Sequence, residues 1–181
     1  DNFATIVEAV REGRAIFDNI RKFLRYLLSS NMGEVLTVFL GVVAAQALGL
    51  LDDDQGVILP LLATQLLWVN LITDSGPALA MGMDPPTDDV MARPPRHLSD
   101  RVIDLRMWMD VMLNGLVIAV CTLLTLDWHL PGGLIEGDHN LDLARTAAFT
   151  VLVFAQLFNA FNARSDTRSA FHQLFVNAWL W

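Results

Sequence analysis

Cysteine is almost absent: Cys121 is the single one among 181 residues. One thiol rules out an internal disulfide framework and any cysteine-built metal centre within the chain. Histidine is scarce too, and His97, His129, His139 and His172 are scattered over loops and span ends, where they read as solvated or interfacial. Charged residues amount to 18% of the chain and are missing from long stretches. Thr146–Ala163 has none, and Phe23–Leu51 has only Arg25 and Glu34. A soluble bundle with buried helices would need polar faces along each helix, and these stretches do not supply them. A secretory leader pattern is also missing, since Asp1–Lys22 is a mixed-charge stretch. Asp1 is not an initiator methionine, so the chain is expected to be a piece of a longer one.

What is present is apolar: 54% of residues are hydrophobic, and the mean hydropathy is +0.42. Those values point to a membrane protein. In Asp1–Lys22, Phe3, Ile6, Val7 and Val10, followed by Ile16 and Ile20, recur at helical spacing. This predicts an amphipathic helix, broken or bent near Gly13. Apolar spans are expected at about 23–51, 57–83, 107–126 and 144–163, with residues 171–181 as the start of a fifth cut off at the chain end. The expected fold is therefore all-α, a polytopic membrane helix bundle of four complete transmembrane helices plus part of a fifth. A short cytoplasmic amphipathic segment precedes it.

Basic residues orient the chain. Of the twelve Lys and Arg, ten lie in the opening segment, in Asp84–Arg106 or in Arg164–Arg168, and Arg25 follows at the start of the first span. Cytoplasmic loops carry such an excess, so residues 1–22, 84–106 and 164–170 are assigned to the cytoplasmic side. The opposite loops carry Asp52, Asp53, Asp54, Glu136, Asp138 and Asp142, with Arg145 as the only nearby base.

Two polar clusters interrupt the apolar spans: Asn31-Met32-Gly33-Glu34 and Asn70-Leu71-Ile72-Thr73-Asp74. An ionisable side chain in a membrane-length helix costs roughly 2.5–3.5 kcal/mol, so such residues mark function. Asn31 and Glu34 share one helix face, and Asn70, Thr73 and Asp74 share another. If the helices face each other, five side chains offer oxygens and two negative charges to one point. Calcium takes six to eight oxygen ligands in flexible geometry. With no His or Cys in the group, zinc and copper are disfavoured. Calcium, manganese, sodium and counter-transported protons all stay open on these ligands. Ser29, Ser30, Thr37 and Gln46 read as interhelical hydrogen-bond glue, and Asp110 as a surface or capping residue. Tyr26, Trp108, Trp128, Trp179 and Trp181 read as interfacial anchors, and Trp68 as packing. Gly76-Pro77, just after Asp74, predicts a kink or unwinding beside that carboxylate.

The run Asn19-Ile20-Arg21-Lys22-Phe23, then Arg25-Tyr26-Leu27-Leu28-Ser29-Ser30-Asn31-Met32-Gly33-Glu34, resembles the junction and fifth membrane helix of the P-type cation ATPases. Gln65-Leu66-Leu67-Trp68-Val69-Asn70-Leu71-Ile72-Thr73-Asp74, with Pro85-Pro86 and Arg93-Pro94-Pro95-Arg96, resembles the sixth helix and following loop of their calcium-transporting, type II branch. The resemblance covers essentially the whole chain. It implies that residues 1–22 are the end of the phosphorylation domain and stalk, and that 23–181 are the C-terminal transmembrane domain. It implies that Asn31, Glu34, Asn70, Thr73 and Asp74 are cation ligands. In sarcoplasmic-reticulum-type pumps the eighth helix adds a glutamate; here Gln156 stands in that segment, which keeps one carbonyl oxygen and loses the charge. That looks more like single-ion pumps. Ser75 replaces a glycine common in the family.

The family's DKTG phosphorylation motif does not occur in this chain, nor do the actuator and nucleotide-binding domains. The resemblance therefore implies an ATP-hydrolysing translocase only in the full-length pump, where ATP and Mg²⁺ would act. No catalytic or cofactor-binding residue is expected here. The implied cargo is a cation, Ca²⁺ first. The implied partners are the lipid bilayer, the remaining pump domains and the first four membrane helices, with no nucleic acid. A bacterial plasma membrane is the expected location. The rival readings are the membrane domain of a secondary cation/proton antiporter and a non-enzymatic membrane scaffold.

Overall fold

The computed structural model describes residues 3–52, 56–85, 89–95, 101–130, 132–135, 140–165 and 175–181. Its first element, α1, is one unbroken helix from Phe3 to Val43. At 1.5 Å per residue its 41 residues reach about 60 Å, roughly twice the hydrocarbon thickness of a bilayer. The expected break near Gly13 does not occur. No proline lies in this stretch, and a lone helical glycine costs only about 1 kcal/mol. The next residue is also braced from outside: the Arg14 guanidinium donates to the carbonyls of Val90 and Arg93, each at 2.8 Å.

The first apolar span is helical only to Val43, short of the expected Leu51. Residues 44–49 form turns that end at Gly49, whose φ of 65° is left-handed and favours glycine. The apolar run continues past the helix because Ala45, Leu48 and Leu50 are buried in the core. A minimal antiparallel ladder follows, β1 (Leu51–Asp52) pairing with β2 (Gly56–Val57).

The second span departs most from expectation. Between residues 57 and 83 the chain forms α2 (Ala63–Trp68), a π-helical stretch (Val69–Thr73) and α3 (Ser75–Gly82). The Asp74 N–H reaches back five residues to the Val69 carbonyl at 2.9 Å, the wide ring of a π-turn. The interruption thus falls before Gly76-Pro77. Pro77 is the third residue of α3, inside the first turn, where its missing N–H would have had no helical partner.

Helix α4 (Leu105–Trp128) is capped by Asp104, whose Oδ1 accepts the Met107 N–H at 2.8 Å, so Asp110 is not the cap. Helix α5 (Leu141–Asn162) is capped by Asn140. Buried Asp127 closes the loop between them by accepting the Leu134 and Ile135 N–H groups at 2.8 and 2.9 Å.

Helices α1, α4 and α5 are long and apolar enough to cross a membrane. The protein is an all-helical integral membrane protein, and among the described residues it has three such helices in place of the expected four and a part. The π-stretch divides the second span into short pieces. Residues 175–181 form turns without a helix, and 171–174 lie outside the described residues. Close approach of α1 to α4 depends on glycine: a Cβ at Gly115 would sit 3.1 Å from the Gly33 nitrogen and 2.8 Å from Met32 Cγ. Small residues at such crossings let membrane helices pack backbone to backbone. The core they enclose includes Leu50, Leu61, Val69, Leu126 and Leu152.

Candidate functional site

The two span carboxylates are both buried, Glu34 at 5% and Asp74 at 1% exposure. Glu34 lies on α1, and amides from two other elements reach it. Asn70 Nδ2, on the π-stretch, donates to Glu34 Oε2 at 2.5 Å. Gln156 Nε2, on α5, donates to Glu34 Oε1 at 2.9 Å. Three elements far apart in sequence therefore meet at one carboxylate. Asp74 immediately precedes α3, and its Oδ1 accepts the Tyr26 hydroxyl at 2.8 Å.

Two buried oxygens in this group, Asp74 Oδ2 and Gln156 Oε1, have no hydrogen-bond partner among the described residues. Leaving a buried polar atom unpaired costs about 1–3 kcal/mol, more for a charged one, so native structures leave few of them. Both are hard oxygen donors of the kind calcium binds. The amides of Asn70 and Gln156 turn N–H toward Glu34 in this arrangement, and rotation of either amide would present its carbonyl oxygen instead. Among the described residues no three His, Cys, Asp or Glu side chains gather as a metal centre. A cation here would draw on two carboxylates supplemented by amide and hydroxyl oxygens. A cavity of about 540 Å³, lined by Glu34, Val35, Val38, Phe39, Val42 and Leu66, borders the site.

Asn31 and Thr73 stand apart from this network. Asn31 is half-buried, and its amide donates to the Leu27 carbonyl of its own helix at 2.8 Å. Thr73 is half-buried beside Asp74, outside the hydrogen bonds that join Glu34, Asn70 and Gln156. Tyr26 overturns the expectation of an interfacial anchor, being fully buried and bonded to Asp74. Its position was readable, since Tyr26, Ser30 and Glu34 recur every fourth residue along one helix face. Trp68, expected to pack inside, is 61% exposed. Ser29 accepts the Asn159 amide at 2.6 Å, a link between α1 and α5. His129 Nδ1 lies 2.8 Å from the Thr125 carbonyl, and the other three histidines lie outside the described residues.

A second polar centre went unforeseen. Asp84, read only as the start of a basic loop, is 2% exposed and receives Lys22 Nζ at 2.5 Å, Arg164 Nη2 at 3.0 Å and Asn177 Nδ2 at 2.9 Å.

A family model described as cation transporting ATPase, C-terminus, matches residues 58–181. The chain belongs to that family. Its relatives among the cation-transporting ATPases extend the match to the N-terminal part. It is 42% identical over 182 residues to a calcium-transporting ATPase of Bacillus subtilis (strain 168), covering 99% of this chain and 18% of that protein. It is 40% identical over 195 residues to calcium-transporting ATPase 1 of Bacillus cereus (strain ATCC 10987 / NRS 248), covering 99% and 20%. It is 44% identical over 143 residues to calcium-transporting ATPase 4, endoplasmic reticulum-type, of Arabidopsis thaliana, covering 78% and 12%. The chain thus spans about a fifth or less of the length of these relatives. The resemblance to the C-terminal portion of P-type calcium ATPases, drawn from the two polar helices and the proline-rich loop, is borne out.

Proposed function

We propose that this chain is the membrane cation-transport portion of an ATP-driven P-type pump that exports calcium from the cytoplasm. The observation that carries the reading is the pair of buried, unpartnered oxygens, Asp74 Oδ2 and Gln156 Oε1, beside the buried carboxylate of Glu34. Two carboxylates match the charge of a divalent ion, and the surrounding donors are all oxygen-bearing. The ligand set is Asn31, Glu34, Asn70, Thr73, Asp74 and Gln156, with Asn31 and Thr73 turning in when the ion binds. A neutral Gln156 limits the charge and favours a single ion.

In this reading ATP and Mg²⁺ act on the remainder of the pump. Residues 1–22 are the end of its phosphorylation domain and stalk, and 23–181 are the C-terminal transmembrane domain. Partners are the bilayer, the actuator, nucleotide-binding and phosphorylation domains, and the first four membrane helices. Residues 1–22, 84–106 and 164–170 face the cytoplasm of a bacterial cell, with the pump in the plasma membrane. Membrane-buried carboxylates beside one interrupted span suit gating of a mid-bilayer site by movement of whole elements.

The test is ATP hydrolysis by the full-length protein across a panel of cations. Glu34→Gln and Asp74→Asn are each expected to abolish stimulation by the transported ion. Normal cation-stimulated turnover in either variant rejects the ligand assignment. ATP-independent cation/proton exchange in vesicles would reject the pump in favour of an antiporter.

A further inference from the structure

Helix α3 is eight residues long, so about 12 Å separates its ends. Asp74 precedes its first residue, and Asp84 follows shortly after its last. A helix this short has little stability of its own, and its flanks are sparsely covered. Ser75 and Gly76 are exposed, as is Leu79 at 74%. A groove of about 800 Å³ between α1 and α3 is lined by Ile16, Ile20, Leu79 and Met83 among others. Two side chains hold the inner face: Ala80 is buried, and Met81 is fully buried and packed with Tyr26, Ala160 and Ala163.

The C-terminal end, by contrast, is pinned from several directions. Asn19 of α1 donates to the carbonyls of Gly82 and Asp84 at 3.3 and 2.8 Å. Asn177 donates to the Ala80 carbonyl at 2.9 Å. The Gly82 carbonyl is one that a helix end leaves without a helical partner, and the Ala80 carbonyl takes Asn177 as a second donor beside the Met83 N–H. The Asp84 carboxylate then gathers Lys22 from α1, Arg164 from just beyond α5 and Asn177 from the closing segment. Charge-assisted bonds of this kind are short and strong, and in a buried setting they hold geometry tightly.

We propose that Asp84 is a positioning residue for Asp74: its buried cluster with Lys22, Arg164 and Asn177 anchors α3 and so aims the carboxylate at the opposite end. The inference rests on the reading of Asp74 as a cation ligand. Among the described residues Asp84 makes no hydrogen bond or ion pair to the candidate site, so its influence passes through α3.

The test uses the full-length protein and reads ATP hydrolysis across a calcium titration for wild type, Asp84→Asn, Asn177→Ala and Asp74→Asn. Asp84→Asn is expected to raise the calcium concentration for half-maximal stimulation roughly tenfold while the maximal rate stays within about twofold. Asn177→Ala, which keeps the ion pairs, is expected to shift it in the same direction by about threefold, and serves if Asp84→Asn fails to fold. An unchanged half-saturation in the folded anchor variants, with stimulation abolished by Asp74→Asn, overturns the anchor and leaves the cation site standing. A fall in maximal rate and yield at unchanged half-saturation also overturns it, since that marks a purely structural cluster. Normal stimulation in Asp74→Asn overturns both readings.

Discussion

The two ends of α3 hold buried carboxylates built by opposite rules. At Asp84 two cationic side chains and an amide converge on one carboxylate. At Glu34 and Asp74 the donors among the described residues are uncharged, two amides and a phenol, and one carboxylate oxygen has no partner among them. The first centre is closed and supplies its own counter-charge. The second has no cationic donor and keeps spare oxygens, as the proposed cation site requires. Burial alone does not separate them, because both are nearly inaccessible; the nature of the donors does.

Stability measurements give the largest expected contrast. Asp84→Ala strands two buried cations and should destabilise the protein by roughly 3–5 kcal/mol. Asp74→Asn removes an uncompensated charge and should be neutral or stabilising by about 1 kcal/mol without divalent cation. Thermal unfolding in detergent with calcium chelated would show the opposite signs. Equal destabilisation by both would erase the distinction. Next in size is Gln156→Glu, which sets a second charge beside Glu34 in place of a 2.9 Å hydrogen bond. It should destabilise the cation-free protein by roughly 1–3 kcal/mol, and added calcium should restore the loss. A loss that calcium leaves unchanged would mean that the spare oxygens do not face a cation.

The smallest effect belongs to a third kind of carboxylate, outside the membrane-length helix. Asp104 is held below the usual carboxylate range chiefly by the Met107 N–H and also by Arg21. Because its folded pKa is depressed, its stabilisation is present above about pH 4 and is lost as pH falls below that. Asp104→Ala should cost about 1 kcal/mol at neutral pH, with no dependence on calcium, and the cost should shrink in acid. Unfolding midpoints across pH would check this, and a calcium-dependent deficit would contradict it.

The sequence made the candidate site legible because membrane burial turns a carboxylate into an anomaly. Glu34 and Asp74 stood out against apolar neighbours, and helical spacing put their amide companions on the same faces. Asn31 was grouped by that same spacing, yet its amide satisfies its own helix, an option that spacing cannot weigh. Gln156, found through the family resemblance, proved to touch Glu34 directly. Asp84 stayed hidden because it sits in a loop rich in charge, where its partners, 62 and 80 residues away, leave no local pattern. The helix boundaries erred for a related reason. Hydropathy records burial, and Ala45, Leu48 and Leu50 are buried while the chain is turning.

The π-helical stretch at Val69–Thr73 bears on how such a chain can change over time. Each α-helical residue rotates the chain by about 100°, so the extra residue held in that wide turn fixes the azimuth of everything after it. Deleting one residue there would leave an apolar segment of nearly the same length and hydropathy. Asp74 would nonetheless swing away from Tyr26 by more than a quarter turn. Insertions and deletions in this span are therefore screened by angle, even where the bilayer would tolerate the change in length.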